Sequence, residues 1–209
     1  MAVVDNRGKR VITEEEVKTA GRGGTLRIDD NALLTPLASD AARDRGVRIE
    51  RTPRSIASTR YRIAIAADHG GFEMKEELKR VLVDLGHDWR DFGTDSTDAV
   101  DYPDFAHMAA TAVSRGTCNL GIVIDGAGIG SCMAANKVPG VRAAMCYDSA
   151  SARNSREHNG ANVLTLGAKA ISIDKMREIV KAWLSTDLTE DRHRRRVEKI
   201  QAIERDYFK

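Results

Sequence analysis

Residues 120–137, LGIVIDGAGIGSCMAANK, join an apolar run to a glycine-rich turn and decide the expected fold. The run LGIVI has the length of a strand and is apolar throughout, as in a parallel strand covered on both faces. It ends in the acid Asp125, and then come Gly126, Gly128 and Gly130. A glycine loop after a strand usually offers backbone N–H groups to an anion. A carboxylate at the lip of such a loop therefore needs an explanation.

The same strand–turn–helix pattern continues from Tyr61 to the end of the chain. Apolar runs of strand length alternate with segments of helical periodicity, which predicts an α/β fold with a parallel sheet and helices on both faces. The five expected strands cover residues 61–67, 87–93, 119–125, 141–147 and 162–167. The chain is expected to divide into an N-terminal extension, residues 1–60, and a main domain, residues 61–209.

The N-terminal extension has weaker signals. Residues 1–10 are polar and are expected to be loose, and Thr13 precedes Glu16 by the three residues of a capping box. Residues 25–29, TLRID, predict a short strand, and a linker rich in Pro, Ser, Thr and Arg is expected to follow a second strand near residue 48. About 45 residues are too few to predict an independent core.

The segment LLTPLASDAARDRG, residues 33–46, predicts a small helix that ends at Gly46. On that helix Leu34, Leu37 and Ala41 lie near one face. So narrow an apolar stripe cannot stabilise an isolated helix in water, so we expect the helix to dock on its own oligomer or on a partner.

Composition excludes several classes of function. The 33 basic and 31 acidic residues give a net charge of +2, which does not favour a nucleic-acid partner. The spacing of Cys118, Cys132 and Cys146 matches neither a zinc site nor a disulfide framework, so we expect reduced thiols. No metal-ligand cluster is recognisable. Without a signal peptide or a run of membrane-spanning length, a soluble cytoplasmic protein with no membrane partner is predicted.

In open parallel sheets ligands bind beyond the carboxyl ends of the strands, and this rule selects the residues of interest. Asp68 and His69 follow the first strand, residues 125–130 follow the third, and Tyr147 and Asp148 follow the fourth. In a plainer interpretation, Asp68 only caps a helix and His69 is exposed. The loop GAGIG also lacks the full six-residue dinucleotide fingerprint.

Further candidates lie outside the strand ends. His158 falls late in a predicted helix, and Arg192 and Arg196 share a helix face in DRHRRR, with His193 between them. The alternative is a solvated helix face. Taken together, these candidates favour a phosphorylated polyol as the ligand and proton transfer as the reaction. They comprise two histidines, two carboxylates, two glycine loops and an arginine pair.

These residues stand in segments that resemble type B ribose-5-phosphate isomerases and the related galactose-6-phosphate isomerase subunits. The resemblance covers residues 61–205, and the segments that carry it are RIAIAADHGGF, VDYPDFA, GIVIDGAGIGSCMAANKVPGVRAA, SREHNGANVLTLGAK and RHRRRVEKIQAIE. It implies a Rossmann-like five-stranded sheet, a homodimer or tetramer with sites at the subunit interface, and no cofactor. It also implies aldose–ketose isomerisation through an enediolate, with ribose 5-phosphate and ribulose 5-phosphate as default substrates. One alternative is the same reaction on a tetrulose or hexose phosphate. Another is a subunit that binds a sugar phosphate without catalysis.

The resemblance also implies roles for single residues. Asp68 and His69 match the pair at the ring and hydroxyl end of the sugar, His158 matches the histidine that assists ring opening, and Asn159 is the adjacent polar contact. The loop from Gly126 to Gly130 matches the one that holds the enediolate oxygen, in the manner of an oxyanion hole. The remaining substrate-binding positions, mostly at the phosphate end, are Tyr102, Lys169, Arg192, His193 and Arg196.

Asp125 departs from the family pattern. One branch has a cysteine base at this place, and another has glycine here and a glutamate base where this chain has Ser131. The loop threonine is also replaced, by Ala127. We expect Asp125 to act as the proton-abstracting base, because a suitably aimed carboxylate can take a proton from carbon. The alternative is that Asp125 only caps the following helix.

Residues 1–60 resemble a short module of enzymes associated with bacterial microcompartments. This second resemblance implies a shell or cargo protein as a partner and a location within such a compartment. A disordered tether is the alternative.

Overall fold

The computed structural model describes residues 2–6, 9, 11–29, 32–52 and 60–207. The chain divides into two compact units, residues 1–59 and 60–209. Within the described residues no helix is long and apolar enough to cross a membrane.

The first unit contains two small parallel sheets. A three-stranded sheet has the order β1-β3-β5, and a two-stranded sheet pairs β2 with β4. A strand–helix–strand pattern thus occurs twice, as β2-α1-β3 and as β4-α2-β5. The elements are β1 (Val3–Asp5), β2 (Val11–Ile12), α1 (Glu14–Thr19), β3 (Thr25–Asp29), β4 (Leu33–Leu34), α2 (Pro36–Arg45) and β5 (Arg48–Thr52).

Three expectations for this part of the chain were wrong. Residues 1–10 were expected to be loose, but β1 lies within them and pairs with β3, which local sequence could not reveal. Helix α2 begins at Pro36, with Thr35 as its N-cap, so Leu34 belongs to a strand. The predicted apolar stripe is also wrong, since Leu37 is 68% exposed. The predicted linker at residues 53–59 lies outside the described residues.

The first unit has a hydrophobic core of its own. Helix α2 contributes the small side chains Ala38 and Ala42 to it, and the helix lies close to α1. The other buried members are Ile12, Val17, Ala20, Leu26, Ile28, Ala32 and Val47. Helix α2 is therefore covered within its own unit, where docking on another molecule was expected.

The second unit is a five-stranded parallel sheet flanked by helices, which confirms the predicted fold class. The strand order is β7-β6-β8-β10-β9, and every pair is parallel. The strands are β6 (Arg62–Ala67), β7 (Asp88–Asp91), β8 (Leu120–Asp125), β9 (Ala143–Met145) and β10 (Val163–Gly167). The helices are α3 (Phe72–Asp84), α4 (Tyr102–Ser114), α5 (Ile129–Ala135), α6 (Ser149–Glu157), α7 (Ile173–Leu184) and α8 (Asp191–Tyr207).

Two hydrophobic clusters cover the two faces of this sheet, because successive strand residues point to opposite sides. On β6, Ile63 and Ile65 face one cluster, which includes Trp183 of α7. Ala64 and Ala66 face the other, where α4 presents further alanines. Because helices cover both faces of the sheet, the two ends of its strands are left for a ligand to bind.

Candidate active site

Asp125 closes β8 and turns its carboxylate back onto the loop that follows. Its Oδ1 accepts hydrogen bonds from the N–H groups of Ala127, at 2.7 Å, and Gly128, and its Oδ2 accepts one from Ser131 N–H at 3.0 Å. The residue is only 4% exposed. All three contacts come from donors, as suits an ionised carboxylate, which is an acceptor only. The acid therefore organises the glycine loop, which explains its place there.

The loop is held from the opposite side through its carbonyl groups. Tyr147 Oη donates to Ala127 O at 2.8 Å, and the buried Thr165 Oγ1 donates to Gly128 O at 2.9 Å. Gly128 has a φ of +80°, and a Cβ there would lie 2.9 Å from the carbonyl carbon of Leu166. Only glycine suits this position.

Tyr102, the first residue of α4, lies directly against the loop. A Cβ on Gly130 would be 2.4 Å from the ring Cζ of Tyr102 and 2.6 Å from its hydroxyl. The absent side chain at Gly130 therefore makes room for the phenol.

The loop after β6 lies beside the glycine loop. Asp68 Oδ1 accepts at 3.0 Å from the N–H of Gly71, the N-cap residue of α3, so this carboxylate closes the turn just before the helix. His69 Nδ1 lies 3.2 Å from Val100 N and 3.1 Å from Val100 O, and either partner leaves Nε2 for a ligand. A Cβ on Gly70 would be 3.6 Å from the backbone nitrogen of Gly126, so the two loops are in contact.

Lys169 reaches the same place from the end of β10. Its N–H donates to Gly126 O at 3.0 Å, and its side chain lies alongside that glycine. The structure thus brings one group of predicted residues together at the carboxyl ends of the strands. Its members are Asp68, His69, Tyr102, Asp125, Gly126, Gly128, Gly130 and Lys169.

A second group gathers around His158, which caps the C-terminus of α6. The His158 ring stacks on His193 of α8, with centroids 4.1 Å apart and planes 14° from parallel. His158 Nδ1 lies 3.0 Å from Asn154 Nδ2. His193 is 2% exposed, and neither ring nitrogen has a hydrogen-bond partner among the described residues. Loss of water, then the charges of His158 and Arg192, lower the pKa of His193 below 6.5.

Two arginines hold the turn that follows His158. Arg142 donates to Gly160 O through Nε at 3.0 Å and Nη2 at 2.8 Å, and Arg156 Nη1 donates to Ala161 O at 2.7 Å. Asn159 lies in this turn and lines a cavity of about 410 Å³ beside α8. These hydrogen bonds fix the turn on its carbonyl side, and Asn159 is exposed at the cavity.

The arginines of α8 form a cluster of positive charge. Arg192 and Arg196, with Arg195 and Lys199, line a cavity of about 270 Å³. Arg192 Nε donates to Glu190 Oε2 at 2.6 Å. Guanidinium groups in such a cluster match the geometry of a phosphate group.

The two groups lie at opposite ends of the sheet. Gly167 pairs with Asp125 at one end of β10, and Val163 pairs with Gly121 at the other. The turn with His158 and Asn159 runs into the Val163 end. Four strand steps of roughly 3.3 Å separate the ends by about 13 Å. Within one copy, therefore, the structure does not bring Asp125 and His158 to a common ligand.

Sequence reasoning missed the residues that support these groups. Tyr147 follows the fourth strand, as the sequence predicts, but nothing local indicates that its hydroxyl reaches the glycine loop. Thr165 carries a visible signal, since it is the lone hydroxyl in the apolar run NVLTLG. Arg142 and Arg156 carried none, because only the folded turn shows which carbonyls they reach.

The fold and the two groups define an α/β protein whose strand-end loop positions a carboxylate, with a basic cluster for an anionic ligand. The family model for ribose/galactose isomerases matches residues 63–200. The chain belongs to this family, and it is a sugar phosphate isomerase of the aldose–ketose kind.

Individual relatives agree with this assignment. The chain is 43% identical to ribose-5-phosphate isomerase B of Escherichia coli over 143 residues, 68% of this chain and 96% of that protein. It is 39% identical to a D-erythrulose-4-phosphate isomerase of Pectobacterium atrosepticum over 139 residues, 66% of this chain and 91% of that one. The structure of Clostridium thermocellum ribose-5-phosphate isomerase B matches with a TM-score of 0.69 and 48% identity, covering 70% of this chain and 99% of that one.

Proposed function

We propose that this chain interconverts ribose 5-phosphate and ribulose 5-phosphate through an enediolate, with Asp125 as the base. The supporting observation is the hydrogen bonding of its carboxylate. A carboxylate has about four lone-pair sites, and three loop N–H groups occupy three of them. Among the described residues, Oδ2 accepts from the N–H of Ser131 alone, so the free site is on this oxygen. That site can take a proton from a carbon held over the loop.

The proposed reaction moves one proton between neighbouring carbons. With the sugar ring opened by His158, Asp125 removes the proton from C2 of the aldose, and the carbonyl oxygen at C1 takes up negative charge. The same carboxylic acid then returns its proton to C1, while a proton passes from O2 to O1 to give the ketose. A positioned acid–base group typically contributes about 10²–10⁴-fold to such a step.

The enediolate oxygen needs donors other than those that Asp125 uses. The N–H groups of Ala127 and Gly128 bond to its carboxylate, so they cannot hold a sugar oxygen at the same time. The N–H of Gly130 is in the first turn of α5, where helical N–H groups have no partner within the helix. We assign the oxyanion contact to Gly130, with Tyr102 above it.

Two copies of the chain are proposed to build each site. One copy supplies Asp68, His69, Asp125 and the glycine loop, and the other supplies His158, Asn159 and the arginine cluster that includes Arg192 and Arg196. His193, expected as a further phosphate contact, is buried beneath the His158 ring and supports that ring instead. The separation of these groups within one copy supports this arrangement. Sedimentation should therefore find a homodimer or a tetramer, and specific activity should fall on dilution below the dissociation constant of the dimer. A fully active monomer would contradict the shared site.

The length of the sugar is the second question. The relative that acts on D-erythrulose 4-phosphate makes a tetrulose phosphate the second candidate substrate. A coupled assay of the purified protein on pentose, tetrose and hexose phosphates decides between them by kcat/KM. We expect the pentose phosphate to be turned over best. Binding without turnover of any sugar would instead indicate a non-catalytic subunit.

The first unit is proposed to act in assembly within the cytoplasm. Its resemblance to modules of microcompartment-associated enzymes, and its compact core separate from the second unit, support docking on a shell or cargo protein. No candidate site residue belongs to residues 1–59, so the chemistry does not require this unit.

A further inference from the structure

Tyr147 and Asp125 hold the two sides of one peptide group. The phenol Oη of Tyr147 donates to Ala127 O at 2.8 Å, and the N–H of the same peptide, on Gly128, donates to Asp125 Oδ1. A continuous chain of hydrogen bonds therefore runs from the phenol, through the Ala127–Gly128 peptide, to the carboxylate. Bonds in such chains polarise and strengthen each other.

This peptide occupies the position at which type I and type II turns differ. It precedes a glycine of positive φ, and peptides at this position change orientation between common turn types by altering only two dihedral angles. A rotated peptide would carry Gly128 N–H away from Asp125. Its carbonyl oxygen is fitted closely on the other side, since a Cβ on Gly167 would be 2.5 Å from it. Among the described residues, the phenol of Tyr147 is the side-chain donor to this carbonyl, and it fixes the carbonyl in place.

We propose that Tyr147 is a positioning residue for the isomerase reaction, which fixes the aim of Asp125 through the Ala127–Gly128 peptide. Because the hydrogen bonds to Oδ1 fix the orientation of the carboxylate, the free lone pair on Oδ2 points in one direction. Tyr147 is 38% exposed and follows the edge strand β9, so it acts from the rim of the loop. The inference rests on the proposed role of Asp125 as the base.

Tyr147→Phe removes the hydroxyl and keeps the ring. We expect kcat to fall by about 3- to 10-fold, the scale of one neutral hydrogen bond, while KM stays at the parental value. Tyr207→Phe is the matched control, because Tyr207 is 84% exposed at the end of α8 and should leave both constants unchanged. In an Asp125→Cys background the phenol has no carboxylate to aim, so Tyr147→Phe should cost nothing further.

The outcomes separate this inference from the proposed function. Parental kcat in Tyr147→Phe overturns the inference, whatever Asp125 does. An equal loss in both backgrounds also overturns it, because the phenol would then act independently of the carboxylate. Asp125→Asn with parental kcat overturns the base assignment and this inference together. A large loss in Asp125→Asn beside an inert Tyr147→Phe overturns the inference alone.

Discussion

The imidazole of His158 covers one face of the His193 ring, with the two centroids 4.1 Å apart. Stacked so closely, the two rings cannot both carry a proton without strong repulsion. His193 is the more enclosed of the two, and its ring nitrogens have no hydrogen-bond partner among the described residues. Its neutral form is therefore the form that the folded protein favours.

The first prediction is a loss of stability on acidification. The pKa of His193 is lowered in the folded protein, by loss of water first and by His158 and Arg192 next. The unfolded chain binds the proton near pH 6.5, above the pKa in the folded chain, so stability is lost as pH falls below about 6.5. We expect Tm to fall more steeply between pH 7.5 and 5.5 in the parent than in His193→Phe. Parallel curves would show that His193 does not control this dependence.

The second prediction concerns the base. Asp125→Asn should lower kcat by about 10²–10⁴-fold. Its amide oxygen can still accept from Ala127 and Gly128, but its NH₂ group would face the N–H of Ser131, so a small fall in Tm is also expected. Asp125→Cys, which restores the residue of one family branch, should keep more activity. An Asn variant with parental turnover would assign Asp125 to loop capping only.

Phosphate binding gives the third prediction. Arg196→Ala should weaken a phosphorylated sugar by roughly 1.5–3 kcal/mol, the range for hydrogen bonds to charged groups. The corresponding unphosphorylated sugar should bind as before. Arg205→Ala, on the same helix beyond the cluster, is the control for a general loss of charge. Titration calorimetry with both ligands makes the comparison, and an equal loss for the two would make Arg196 structural.

The fourth prediction tests the contact between Tyr102 and Gly130. Gly130→Ala places a Cβ 2.4 Å from the Tyr102 ring, so the ring must move. Overpacking costs about 1–3 kcal/mol, and we expect the lower end because the ring is partly exposed and can swing outward. Thermal unfolding should show that the loss disappears in a Tyr102→Ala background. A loss that persists there would place the strain elsewhere in the loop.

The fifth prediction separates the two units. A chain that starts at Ser58 retains the whole second unit and every candidate site residue. It should fold, assemble and turn over sugar phosphate like the full chain, as circular dichroism, sedimentation and the coupled assay can measure. It should lose co-assembly with a shell or cargo protein. An insoluble or inactive product would make residues 1–57 part of the isomerase itself.

Strand periodicity predicted the second unit well, because four of its five strands are mainly apolar and glycines separate its elements, whereas β7, DWRD, is polar. All five strands were found, although the fourth, predicted over residues 141–147, is only Ala143–Met145. An edge strand has a partner on one side only, so its ends are set by that neighbour. Here the neighbour is β10, and local sequence does not contain this information.

The first unit shows why other features escaped prediction. Ala38 and Ala42, the buried side chains of α2, carry almost no hydrophobic signal, whereas the conspicuous Leu37 is exposed. Similarly, the residue types around Asp125 suggested a base or a cap, but which N–H groups it binds depends on the turn that the loop adopts. The stacking of His158 on His193 depends on the packing of α6 and α8, which are far apart in sequence.

The placement of His158 and Asp125 at opposite ends of the strands has a genetic consequence. In the proposed two-copy site, one copy supplies Asp125 and the other copy supplies His158. A defect in Asp125 and a defect in His158 therefore affect the contributions of different copies. A mixed dimer of an Asp125 variant and a His158 variant then has one site with both lesions and one with neither. Two inactive alleles expressed together would restore up to a quarter of the normal sites, whereas two alleles damaged in the same half would restore none.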